Sequence, residues 1–283
     1  MRLSRRAGRL TLLFVSALLA LGTVVGWPAS APALAQENAP TLEWFGWSNF
    51  RLTAPNGKVV FINPFIQGNP DAAISVDDIQ KADLILAADG HGDEIGSTMD
   101  IAQKTGAMVI APAGVLGWFI EKGLPAAQVP QRFALPGNVY KMDGVTVRVV
   151  NSIHSSELPQ PTATNPYGGA AAGFVVTFDN GYTIYFQGSS AATSDMALWA
   201  QMYKPDLMIF HMGGQHEPLD IAMSVKLMMT DNPNLKMLMP HHHRVNQQPG
   251  QTWFPDVRAA LDSMGVSLPI TEQVRSEVYT LTK

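Results

Sequence analysis

The sequence contains no cysteine. Disulfide frameworks, thiolate metal sites and cysteine nucleophiles are therefore excluded, and any metal must be held by His, Asp, Glu or backbone oxygen. Charge is sparse as well: Asp, Glu, Lys and Arg make up only 15% of residues, and the formal net charge is -4. No basic footprint for nucleic acid can be built from that balance, so no nucleic-acid partner is expected. What is abundant is apolar surface. Of 283 residues, 46% are apolar, which excludes a disordered or collagen-like chain and suffices for a sizeable core.

Residues 1–35 read as a secretory signal peptide. Arg2, Arg5, Arg6 and Arg9 form a basic start, residues 10–26 carry no charge, and Ala33-Leu34-Ala35 is a small-x-small cleavage site. Cleavage after Ala35 is expected, leaving 36–283 as a single domain; the alternative is a retained anchor, since the apolar run is at the lower limit for a membrane span. The pair Arg5-Arg6 raises twin-arginine export of an already folded protein, with the general secretory route as the alternative because Gly8 and Arg9 stand where that signal has an apolar pair. Cleavage removes four of the 19 basic residues and none of the 23 acidic ones, so the net charge falls from -4 to -8. A periplasmic or secreted protein with no stable membrane insertion is expected.

The remaining chain alternates strand and helix signals. Short strand runs occur at 42–47, 50–54 and 58–62, with Asn56-Gly57 as a hairpin turn between the last two. Buried-strand runs at 83–88 and 107–111 alternate with helices expected at 96–105 and 114–122. Strands follow at 139–142, 145–151, 173–178 and 182–186, joined by the turns Asp143-Gly144 and Asn180-Gly181. Helices at 195–203, 220–230 and 254–264 then alternate with strands at 206–210, 235–239 and 277–281. The stretch 155–171, rich in Pro, Thr and Gly, reads as a long functional loop. Hairpins impose antiparallel neighbours and the alternating segments impose parallel ones. Two mixed sheets packed face to face, with helices outside, satisfy both.

The seven histidines lie at 91, 154, 211, 216, 241, 242 and 243, each at or after the end of a strand-like run. The densest chemistry is Asp89-Gly90-His91-Gly92-Asp93-Glu94, four ligand-type side chains in six residues, with glycines to allow a tight loop. An acidic helix start explains Asp93 or Glu94 alone, but not Asp89 and His91. His91, His154 and His242 are expected to converge on one centre, because strand ends on one sheet edge lie close together. His216, after Gly213-Gly214, is expected either to approach the same cleft or to be a solvated loop residue.

These motifs resemble the His-x-His-x-Asp-His signature of metallo-β-lactamase-fold hydrolases, and the order of motifs is similar along most of the chain. Gly46-Trp47-Ser48, Asn63-Pro64, His154-Ser155-Ser156, Tyr167-Gly168-Gly169, Gly188-Ser189-Ser190, Gly213-Gly214 and Pro240-His241-His242 fall in sequence. The likeness is greatest to the branch that includes ascorbate-6-phosphate lactonase. It implies a four-layer αββα sandwich and a metal site on loops at one edge. His91, Asp93, His154 and His242 match the family's ligands. Asp89 and Glu94 stand where the family has histidines, Ser189 where it has a bridging aspartate, and Asn63 where it has an aspartate.

The resemblance implies a divalent metal held by Asp89, His91, Asp93, Glu94, His154 and His242, with Ser189 and His216 as further candidates and Asp93 orienting a nucleophilic water. Without the bridge, one ion rather than two is expected, as zinc, manganese or iron. The function expected is an exported hydrolase of a small-molecule ester, lactone, amide or phosphodiester. A non-catalytic exported binder of metal or small molecule and a scaffold used only for interactions are the alternatives.

Overall fold

The computed structural model describes residues 39–283 apart from Arg132 and Gln215, so the expected leader at 1–35 lies outside the described residues. The first sheet begins with β1 (Thr41–Trp44), β2 (Phe50–Thr53) and β3 (Val59–Ile62), which pair antiparallel. Gly57 takes a φ of +80° at the hairpin turn, a conformation that costs glycine little. β4 (Leu84–Leu86) and β5 (Met108–Ile110) continue the sheet in parallel.

The second sheet repeats the plan. β6 (Val139–Met142), β7 (Val145–Asn151), β8 (Ala172–Phe178) and β9 (Thr183–Phe186) are antiparallel, and β10 (Leu207–His211) and β11 (Met237–His241) extend them in parallel. A short β12 (Tyr279–Thr280) returns to the free edge of β1.

Alternation along the strands sets the layers. Val60 and Ile62 face the second sheet, where they pack with Leu84, Leu86, Phe174, Val176, Ile184 and Phe186. Their neighbours Val59 and Phe61 point the other way, into a cluster with Ile85 and Val109. That outer cluster is closed by α2 (Thr98–Thr105) and α3 (Ala113–Glu121) through Ile101, Val115, Leu116 and Phe119. On the far side α4 (Asp195–Tyr203), α5 (Pro218–Met228) and α6 (Phe254–Ser263) cover Tyr185, Met208, Phe210 and Leu238. Each large apolar side chain buried this way contributes about 1.5–3 kcal/mol. The result is the αββα sandwich of two mixed six-stranded sheets.

The helix expected at 96–105 is observed as α2, starting two residues later at Thr98, and a short α1 (Gly92–Ile95) that was not expected precedes it and ends at Gly96, whose φ is +39°. The bend between them is tertiary in origin. A side chain at Gly96 would sit 2.5 Å from Phe65 Cα, and Ser97 N–H donates to the Pro64 carbonyl at 2.9 Å. The Asn63–Phe65 segment after β3 therefore clamps the loop after β4. Asn63 completes the clamp by accepting the Ala88 N–H at 2.9 Å. The two sheets are tied at the same level, where Ala172 N–H donates to the Ala88 carbonyl at 2.8 Å. The ends of β4, β9, β10 and β11 meet around this clamp.

Candidate metal centre

The clamped loop delivers Asp89 to the interior with none of its surface exposed. Asp89 Oδ1 accepts the His91 N–H at 2.9 Å and lies 3.0 Å from His91 Nδ1. The other ring nitrogen of His91 is 2.8 Å from Glu157 Oε2 on the long loop. The hydrogen bond to Asp89, opposed by burial and reinforced by Glu157, raises the His91 pKa to about 9. Gly90 permits the close crossing, because a side chain there would lie 2.9 Å from the Glu157 carbonyl oxygen.

His154, in the loop after β7, stands edge-on to His91 with ring centroids 5.1 Å apart. One ligand atom each from Asp89, His91 and His154 lies within 4.8 Å of the others. Asp89 Oδ2 is buried and has no hydrogen-bond partner among the described residues. A buried carboxylate oxygen left unpaired costs free energy unless a cation meets it. Carboxylate plus two imidazoles is a donor set suited to a divalent metal, so the residues present fit such an ion.

A second group faces the first. His242 Nε2 lies 3.2 Å from Asp93 Oδ2 and 3.5 Å from Glu94 Oε1. Trp47 donates its indole N–H to Asp93 Oδ2 at 2.8 Å. Burial alone would raise the Asp93 pKa, but the hydrogen bonds and charge of His242 and the Trp47 indole outweigh it and bring it to about 2. Ser189 and Ser48 both donate to Glu94 Oε1, at 2.9 and 3.2 Å. Trp47, Asn63 and His242 all hold left-handed φ angles, of 58°, 47° and 64°. The His242 N–H donates to the Trp47 carbonyl at 3.2 Å, so two of these strained residues brace each other at the cleft.

Glu94 is fully buried with Oε2 unpartnered. Burial, and then the neighbouring Asp89 and Asp93, push its pKa well above the carboxylate range. With the folded value raised, the charged form is disfavoured in the fold, so stability falls as pH rises from the unfolded value toward the folded one. Glu94→Gln should therefore give the metal-free protein a higher melting temperature at pH 7, with each kcal/mol worth about 2–4 °C at this size. A lower melting temperature at pH 7 and an unchanged one at pH 4 would show that Glu94 is stabilised by something other than a bound proton.

All eight residues singled out in the sequence lie at this edge. Asp89, His91 and His154 form one set, and Asp93, Glu94, Ser189 and His242 the other. His216 packs against His211, ring centroids 4.4 Å apart. The sequence reading named His211, His241, Trp47 and Ser48 without giving them a role, and it did not name Glu157. His241 is fully buried between Ser48 Oγ and the Gly188 carbonyl, each 3.2 Å from a ring nitrogen. His243 points away from the cleft and stacks on Trp44 at 4.8 Å. The available signal was a polar residue closing an otherwise apolar strand, as at His211 and His241.

A family model described as the Beta-lactamase superfamily domain matches residues 58–245. Together with the sandwich and the edge-on ligand loops, this defines the class: the chain belongs to the metallo-β-lactamase-fold hydrolase superfamily. Within that class it is similar to proteins named UPF0173 metal-dependent hydrolase. The one from Polynucleobacter asymbioticus is 30% identical over 267 residues, covering 90% of this chain and 92% of the relative. Another, from Thermodesulfovibrio yellowstonii, is 33% identical over 220 residues, covering 74% and 80%. Among solved structures, the metallo hydrolase Igni18 of Ignicoccus hospitalis superposes with a TM-score of 0.70 at 22% identity, covering 87% of this chain and 99% of that one. That likeness is one of fold.

Proposed function

We propose that this metallo-β-lactamase-fold protein is an exported metal-dependent hydrolase that holds one divalent ion on Asp89, His91 and His154. The observation that carries the reading is the buried, unpartnered Asp89 Oδ2 in a set whose ligand atoms lie within 4.8 Å of one another. The relatives' description as metal-dependent hydrolases supports it. A divalent ion in such a site lowers the pKa of water from about 15.7 toward 7 and polarises a carbonyl or phosphoryl oxygen.

The protein's own contribution begins with Asp93. Its low pKa keeps it an anionic acceptor at neutral pH, and Trp47 and His242 fix the orientation of its carboxylate. In this reading its carboxylate would accept a hydrogen bond from an attacking water. The substrate proposed is a small ester, lactone, amide or phosphodiester. Hydrolysis of one of these classes, lost on chelation and restored by zinc or manganese, is the expected result of a substrate screen. A metal-loaded protein inert toward all of them would favour a second reading, a non-catalytic metal or small-molecule binder. The observation behind that second reading is Ser189, a neutral group engaged with Glu94.

Metal uptake has a pH signature. The proton that holds His91 between Asp89 and Glu157 must leave before a cation can take the ring. Zinc affinity is expected to rise about tenfold per pH unit from neutrality up to about 9. Calorimetric titration across that range, in buffers of different ionisation enthalpy, measures both the slope and the released proton. A flat affinity would separate His91 from the metal.

Export is part of the proposal and rests on the basic, apolar and Ala33-Leu34-Ala35 segments. The expected N-terminus of protein isolated from its host is Gln36; an intact Met1 would contradict it.

A further inference from the structure

His211 closes β10 and is only 4% exposed. Its ring is at the hub of the histidines, with centroids 6.5 Å from His154, 4.4 Å from His216, 5.4 Å from His241 and 4.9 Å from His242. Its Nδ1 is buried and has no hydrogen-bond partner among the described residues. His241, on the neighbouring strand, has both ring nitrogens within 3.2 Å of polar atoms, whereas His242 Nδ1 is, like His211 Nδ1, buried without a partner among the described residues. A buried polar nitrogen without a partner is uncommon, and a bound ion is one partner that would satisfy it.

The donor count points the same way. With Asp89 in place, the set Asp89, His91 and His154 carries two imidazoles and one carboxylate. Metal–nitrogen bonds are about 2.0–2.1 Å, so two imidazoles on one tetrahedral ion have ring centroids about 5 Å apart. His91 and His154 meet that spacing at 5.1 Å. His211 is within about 1.5 Å of it relative to His154. His154 is exposed on the long loop, where a shift of that size disturbs no core packing.

Resting on the reading that Asp89, His91 and His154 hold a metal, we propose that His211 is a further nitrogen ligand of that ion, bringing a third imidazole from the second sheet to a site where Asp89 supplies a carboxylate. His216, packed edge-on against His211 at an interplanar angle of 76°, is a positioning residue for that ring. A centre of three imidazoles and one carboxylate ties the two sheets together through the ion. It also draws the site toward zinc, cobalt or iron and away from magnesium or calcium.

X-ray absorption at the metal edge of the zinc-loaded full protein counts imidazoles directly, and competition with a chelator gives affinity. Three imidazoles are expected in the native protein and two in His211→Gln, with at least a tenfold loss of zinc affinity. His216→Ala should keep three imidazoles and bind zinc more weakly, about two- to tenfold. Two imidazoles in the native protein, or three that fall to two in His242→Ala and not in His211→Gln, would overturn the assignment while leaving the metal site standing. If His211→Gln does not fold, the native count and the His242→Ala variant still decide. A native protein that takes up no zinc, cobalt or manganese would overturn the underlying reading and this one with it.

Discussion

Asp89→His, Glu94→His and Ser189→Asp, introduced together, are expected to raise dialysis-resistant zinc from about one equivalent per chain to about two. The reason lies at Ser189. Its hydroxyl is neutral and donates to Glu94 Oε1 at 2.9 Å, so it brings no negative charge to the junction of the two ligand sets. Two dications held about 3.5–4 Å apart repel by on the order of 15–20 kcal/mol even at an effective dielectric of about 20. A shared carboxylate offsets that repulsion and a serine does not. The two histidine substitutions supply nitrogen, for which zinc has the greater preference. Elemental analysis after exhaustive dialysis reads the result. Native protein that already retains two equivalents of zinc would mean that Ser189 does not limit the site to one ion.

His91→Ala is expected to reduce metal affinity by at least about 100-fold and any hydrolytic rate by about a thousandfold or more, on the scale of removing a metal's contribution to water activation. His91 is the residue on which the first set turns, in contact with Asp89, Glu157 and His154 at once. The fold should be spared. The side chain is 29% exposed, and Asp89 Oδ1 keeps the backbone N–H of residue 91 whatever the side chain. The metal-free variant should still melt lower than the native protein at neutral pH, because the buried Asp89 carboxylate loses the His91 imidazolium, and the metal-dependent rise in melting temperature should disappear. Full zinc retention in this variant, with native folding by circular dichroism, would remove His91 from the centre.

The layered sandwich was legible because its signals are local. Asn56-Gly57, Asp143-Gly144 and Asn180-Gly181 mark hairpins in the chain itself, and runs such as 83–88 carry their own burial pattern. The short α1 ahead of Gly96 was not legible. Its orientation is set by Phe65 packed against the glycine and by the Pro64 carbonyl, neither of which is local in sequence. The site divides in the same way. Asp89, His91, Asp93 and Glu94 stand together within six residues, so their spacing speaks for itself. The Glu157 contact spans 66 positions, and its partner side chain is drawn from a loop with no periodicity.

The roles of His211 and His241 were hidden for another reason. Each ends a run of buried apolar residues, His211 on β10 and His241 on the edge strand β11, where hydrophobic patterning marks the strand but gives its last residue no role. Their chemistry becomes visible when the unpaired Nδ1 of His211 is set beside the fully engaged ring of His241. Trp47 gave a motif signal but no role. Its left-handed backbone, and the indole held on Asp93, depend on the His242 N–H reaching across from β11.

The proposed hydrolase needs one metal ion on the Asp89, His91 and His154 set. Anomalous diffraction at the zinc edge, from crystals of the zinc-loaded protein, tests it most directly. A single peak about 2.0–2.2 Å from an Asp89 carboxylate oxygen and from a ring nitrogen of His91 and of His154 is the predicted result. No peak at that position under saturating zinc, or two peaks of equal height on either side of Ser189, would contradict it.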